Sequence, residues 1–288
     1  MKTKNFKLTG AIFLAGLFTF TACNEQDKVT EEEELSTETV ALVNESALTG
    51  NIEEELDASI NEAVAYSEQQ GSTLKSATVE PECATVTVSP DDGTFPKTIT
   101  IDFGEGCEGP RGFTRSGIIT ITITDSLRNP GAEYQATFEN FAIGDFSLTG
   151  TKSVENTGTE NAPSFAEEVS ISLTTPNGIV IDKTKSTTRE WVEGMDTYGV
   201  ADDVFLLSGS AQVSSSAGRS YSYTILEPLK AARTCKEYLE GVIEITWSGK
   251  DEPVTIDFGD GECDRKVYVS HARRRIHRRA VFLDRYFD

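Results

Sequence analysis

The chain has 288 residues, with 26 basic against 47 acidic side chains and a formal net charge of −21. That length supports one large or two small domains with a real core, and the charge excludes a nucleic-acid binder, which needs a basic footprint against phosphates. Only 38% of the residues are hydrophobic, and no apolar run reaches the length of a membrane span.

The N-terminus carries an export address. Lys2, Lys4 and Lys7 form a positive segment, and the apolar stretch 8–20 has the length of a signal-peptide core. Phe20-Thr21-Ala22-Cys23 then sets small residues before a cysteine, which resembles the lipobox of bacterial lipoproteins. Residues 1–22 read as a lipoprotein signal peptide, with Cys23 the lipidated, palmitate-bearing start of the mature chain. Each buried CH₂ contributes about 0.8 kcal/mol, so several acyl chains make a stable anchor. Asn24-Glu25-Gln26-Asp27 follow directly and look like the acidic export signals of surface-displayed Bacteroidetes lipoproteins. The expected location is the outer membrane, with exposure at the cell surface.

Residues 23–50 are acidic, with Glu31 to Glu34 in a row, and like charges at that density extend a chain. They read as a flexible tether. Over 51–71, Ile52, Leu56, Ile60, Ala63 and Val64 recur with a helical period until Gly71 stops it. This short amphipathic helix has no lysine or arginine to suit a membrane surface, so it is expected to pack on the following domain.

From 83 to 270 the period changes to two, and the segment reads as a single antiparallel β domain. At 117–124 isoleucine and threonine alternate, giving one buried and one wetted face. Other strand segments are 84–88, 98–103, 133–143, 146–155, 165–174, 178–191, 204–214, 219–227, 241–248, 253–258 and 265–270. Turn chemistry separates them, with Pro176-Asn177-Gly178 the strongest hairpin signal. The fold class is all-β: an antiparallel meander of about a dozen strands, as a curved sheet, sandwich or open barrel, after one short acidic helix.

Apart from Cys23, four cysteines remain, an even number that reads as two disulfides outside the cytoplasm. Cys83 and Cys107 flank the hairpin of 84–88 with 98–103, and Cys235 and Cys263 flank that of 241–248 with 253–258. Hairpin geometry therefore pairs Cys83 with Cys107 and Cys235 with Cys263. A zinc site would want a CxxC or a neighbouring histidine, and neither is present.

TITIDFGEGC at 98–107 is echoed by PVTIDFGDGEC at 253–263, which suggests related hairpins at the two ends of one sheet. With the lipobox, the acidic helix and the 117–124 strand, these motifs resemble a Bacteroidetes lipoprotein family over residues 1 to about 266. The resemblance implies an extracytoplasmic all-β protein and no particular activity.

Candidate chemistry is sparse. Asp102-Phe-Gly and Asp257-Phe-Gly sit in acidic glycine-rich loops, but lack the spacing of a calcium loop and read as tight turns. The histidines, His271 and His277, lie near the C-terminus, and neither GxSxG nor HExxH occurs. No catalytic residue, cofactor or metal ligand is assigned. Trp247 shares the isoleucine face of its strand and reads as core, whereas Trp191 is open to other roles. The threonine faces at 120–124 and 184–188 read as the solvated side of the sheet. Asp125-Ser126-Leu127 resembles the Bacteroidetes O-glycosylation sequon, with Ser126 the acceptor. Residues 265–288 hold seven arginines, and the alternation of 266–270 collapses into His-Ala-Arg-Arg-Arg. Residues 271–288 therefore read as an aberrant basic tail, produced by a reading-frame shift near 266–270.

The expected function is that of a non-enzymatic, lipid-anchored envelope protein acting as an interaction or scaffold module. It is expected to meet the membrane through its N-terminal lipid, to bind a protein or glycan partner, and to bind no nucleic acid. A carrier of an apolar ligand or glycan on a curved sheet is the first alternative, and a carboxylate-dependent hydrolase the second.

Overall fold

The computed structural model describes residues 35–69, 83–109, 112–197, 201–250, 252–271 and 279–282. The expected signal peptide, Cys23, residues 24–34 of the expected tether and Gly71 lie outside them. One helix, α1 (Thr37–Gln69), is followed by β1 (Thr85–Ser89), β2 (Lys97–Asp102), β3 (Cys107–Glu108), β4 (Thr114–Ile123) and β5 (Glu133–Ile143). Then come β6 (Phe146–Asn156), β7 (Ser164–Thr174), β8 (Val180–Glu193), β9 (Val204–Ser215) and β10 (Ser220–Ala232). β11 (Glu240–Trp247), β12 (Val254–Asp260), β13 (Lys266–His271) and β14 (Arg279–Phe282) complete the order. All fourteen strands belong to one open antiparallel meander, with β1 and β14 at its edges and short β3 paired to β4 alone. The all-β meander with one helix is thus the observed fold.

The helix differs from its expected form. It starts at Thr37, so residues 37–50 belong to it rather than to a tether. Ser36 caps the start, its Oγ accepting the Thr39 amide at 3.1 Å. Leu42, Val43 and Leu48 carry the buried stripe back from Ile52, and their burial outweighs the like-charge repulsion of the acidic segment. From Leu42 to Ile60 every residue except Ala47 and Asn51 is buried. A helix covered on all sides must be surrounded, and the sheet supplies that surround. Lys236, in the loop after β10, rests over the Phe113 ring just before β4 at 5.1 Å, although five strands lie between those two in the sheet.

Strand alternation sets the lining. Ile99 and Ile101 on β2, Ile119, Ile121 and Ile123 on β4, and Val169, Ile171 and Leu173 on β7 all point inward. Between Ser116 and Ile118 the β4–β5 register shifts at Gly117, whose φ of 81° and 2.2 Å approach of a would-be Cβ to the Asn140 carbonyl admit only glycine. The two disulfides are Cys83–Cys107 and Cys235–Cys263, with Cα–Cα distances of 5.4 and 5.8 Å. Part of the expected basic tail forms a strand. Arg279 to Phe282 form β14 and pair with β13, Val267 facing Val281 and Val269 facing Arg279, so β13 is not an edge.

Candidate functional site

The centre of the molecule is a seat of buried charge. Glu53, Glu54, Glu55 and Asp57 stand almost in sequence on α1, and successive helical residues turn by about 100°. Four such acids cannot share one face: three of them reach β8, and Glu55 turns to β4. Glu53 pairs with Lys183 at 2.7 Å and Lys185 at 2.9 Å, both on β8. Glu54 bonds Arg189 of β8 at 2.8 Å, and Glu55 faces Arg115 of β4 at 3.7 Å. Asp57 takes Arg189 at 2.6 Å and also binds Lys152 of β6. Glu167 of β7 closes the network, accepting from Arg189 Nε at 2.9 Å and lying 3.4 Å from Lys152. All of these side chains are buried.

Ten charges balance here, five acids against five bases. Burial opposes ionisation of Glu53, yet Lys183 and Lys185 outweigh it and hold its carboxyl below the ordinary value. Burial is likewise overcome at Glu54 and Glu167, chiefly by Arg189, and at Asp57 by Lys152 and Arg189, so all three are held low. Lys183, Lys185 and Arg189 are held above their ordinary values against burial, by Glu53 for the lysines and Glu167 for the arginine. These four acids and three bases stay charged at neutral pH. Its cations were missed in the sequence because 183–189 alternates lysine, threonine and arginine, which looks like a wetted strand. The signal was the matching run of acids at 53–57.

Other sequence candidates fall into place. The two Asp-Phe-Gly corners are built alike: Asp102 Oδ1 accepts the Gly104 amide at 2.8 Å, and Asp257 Oδ1 accepts that of Gly259 at 2.8 Å. Each aspartate is used to close a turn around a buried phenylalanine, Phe103 or Phe258. No group of three or more metal-binding side chains occurs among the described residues. Thr122, Thr124 and Thr184 face outward, as expected of a wetted surface, but Thr187 does not: it is buried beside Lys185 and Arg189, its hydroxyl 3.4 Å from Glu167 Oε2.

Ser126, the expected glycosylation acceptor, is tied to the helix. Its hydroxyl donates to Glu68 Oε1 at 2.7 Å, and the same oxygen accepts the Leu127 amide at 2.9 Å. Ser126 is half-buried and holds the β4–β5 turn to the end of α1. Trp247 is half-buried at a strand end rather than in the core. Trp191 stacks on Phe205 at 5.8 Å, with the Arg128 guanidinium 4.8 Å from its ring. Beside it Asp203 is buried, and burial pushes its carboxyl up to about 7 over the opposing pull of Arg233.

Two openings flank the seat. An open cleft of about 870 Å³ lies between the first half of α1 and the turns before β4, between β5 and β6, and between β7 and β8. A small pocket of about 70 Å³ at the other end of α1 is walled by Tyr134, Phe165, Trp191 and Phe205. Compared with known proteins, the chain matches no family model, no curated protein and no solved structure.

Proposed function

We propose that this is a lipid-anchored outer-membrane protein that works as a non-enzymatic interaction module. One observation carries the reading: α1 fills the inner face of the sheet through the ten-charge network, leaving the outer face and rim as the surfaces for contact. The chemistry of that network agrees. Its closest carboxylates, Glu54, Asp57 and Glu167, are all bound to Arg189 and held ionised, so none carries a proton to give as a general acid at neutral pH. The two disulfides suit an oxidising compartment, and the apolar leader ending at Cys23 supplies the address and anchor. The acidic residues behind Cys23 favour display at the cell surface. Feeding cells a fatty-acid analogue tests the anchor: the wild type takes up the label and fractionates with the outer membrane, and Cys23→Ser does neither. Equal labelling of both proteins rules the reading out.

A further inference from the structure

The open cleft at the rim has a lining that selects a ligand class. Its volume, about 870 Å³, lies within the usual range for small-molecule sites. Phe113, Phe146, Leu48 and Ile181 give it an apolar floor, and half-exposed Ile179 and exposed Pro176 stand at its lip. Asn44, Asn177 and Asp145 add planar hydrogen-bonding groups from three separate elements. Such a mixture offers too much polarity for a hydrocarbon chain. An acyl ligand would bury its length against these amides and carboxylates without bonding them.

Charge narrows the class further. Three ionisable side chains line the cleft: Glu45, Asp145 and Arg219. Arg219 donates through both Nε and Nη2 to Glu45 Oε2, so the cation among these three is already paired within the lining. Glu45 is neutralised in the same pair, and Asp145 is exposed on the turn between β5 and β6, where water screens it from a cation. What remains is a ligand with apolar faces and uncharged donors and acceptors along its edges.

We infer that this cleft binds a neutral saccharide, with pyranose faces against the apolar floor and the Ile179 lip and hydroxyls meeting Asn44, Asn177 and Asp145. The turns that frame it are fixed. Gly144 donates to the Thr114 carbonyl at 2.7 Å, and Gly178 donates to that of Thr175 at 2.9 Å, so the lip is preorganised. The site goes beyond the anchored-module reading and stands or falls apart from it, because its test does not involve Cys23.

The full mature chain is titrated calorimetrically with neutral gluco-, manno-, xylo- and galacto-oligosaccharides, and with laurate and oligogalacturonate as apolar and acidic probes. At least one neutral sugar is expected to bind at one site per chain with a Kd below ~1 mM. Ile179→Trp, which fills the cleft, is expected to weaken that binding at least about tenfold, and the exposed rim variant Asp145→Ala at least about threefold. Both should leave the thermal unfolding midpoint unchanged, and if Ile179→Trp unfolds, the Asp145→Ala result decides. No neutral sugar bound at ~10 mM overturns the inference. So does binding that neither variant alters, or tighter binding of laurate or oligogalacturonate than of every neutral sugar.

Discussion

Arg189 and Asp57 meet at 2.6 Å across 132 residues of sequence, one in the middle of the longest strand and the other in the middle of the helix. The contact fixes how far α1 slides along the sheet and how it is rotated. Arg189 also holds Glu54 at 2.8 Å and Glu167 at 2.9 Å, so one guanidinium ties the helix to two neighbouring strands. A buried ion pair adds little net stability over a hydrophobic equivalent, because desolvation cancels much of the attraction. Its value here is specificity. An apolar interface would tolerate a one-turn slip of α1, whereas this one would leave several charges unpaired.

Breaking the network from one side should therefore be costly. Asp57→Ala leaves Lys152 and Arg189 to share Glu54 and Glu167, with one buried positive charge uncompensated, and is expected to destabilise the protein by about 3–5 kcal/mol. Urea unfolding followed by circular dichroism measures this. Asp182→Ala, also facing β7 but on the exposed side of β8, is the control and should change stability by less than about 0.5 kcal/mol.

The strand order, both disulfides and the Asp-Phe-Gly corners were legible in the sequence because each depends on neighbours in the chain. Period-two patterning marks a strand whatever lies beyond it, and a hairpin brings Cys83 to Cys107 without help from the rest of the fold. The seat of α1 was not legible in this way. Lys183, Lys185 and Arg189 obey the alternation but invert its usual meaning, since they point inward. Only the partner helix, more than a hundred residues upstream, makes that inversion affordable. The same long-range partner explains the early helix start, because Leu42 and Val43 gain nothing from helicity until the sheet covers them.

Acid and neutral pH should act through different groups. Glu53, Glu54, Asp57 and Glu167 have folded pKa values below their unfolded ones, so their stabilisation is complete above about pH 5 and is lost as pH falls through the folded values. Asp203 has the opposite sign. Its folded value of about 7 lies above the ordinary 3.8, so its contribution is fully present below pH 3.8 and is lost as pH rises through 7. Thermal midpoints of the wild type should fall between pH 6 and 8 on this account. Asp203→Asn, which cannot ionise, should flatten that limb and raise stability at pH 8 by about 1–3 kcal/mol. An unchanged slope in the variant would mean that another group titrates.

Ser126 and Glu68 make a second test of helix docking. Ser126→Ala removes one hydrogen bond from a half-buried carboxylate and should cost about 1 kcal/mol. Glu68→Ala should cost more, because it also leaves the Leu127 amide without its acceptor. A sugar attached to Ser126 Oγ would replace the very proton that Glu68 accepts. The intact mass of the protein purified from its native cells should consequently carry no glycan that Ser126→Ala abolishes.

The first half of α1 offers the most decisive check on the fold, because the acidic composition before residue 51 argues for a tether and the structure argues for core. A chain beginning at Asn51 loses Leu42, Val43 and Leu48 from the interior, each 5% exposed or less. Full burial of such a side chain contributes about 1.5–3 kcal/mol, so the three together approach the whole stability of a typical domain. The same truncation removes Glu45 from Arg219 and uncovers the floor of the rim cleft. A chain beginning at Leu35 keeps all of these contacts and should unfold at the same urea midpoint as the longer protein. The chain beginning at Asn51 should be largely unfolded, with its tryptophan emission shifted to that of exposed indole. Limited proteolysis of the intact protein gives the matching readout: residues 37–50 should resist cleavage as strongly as 52–60, since both stretches lie inside the same sheet.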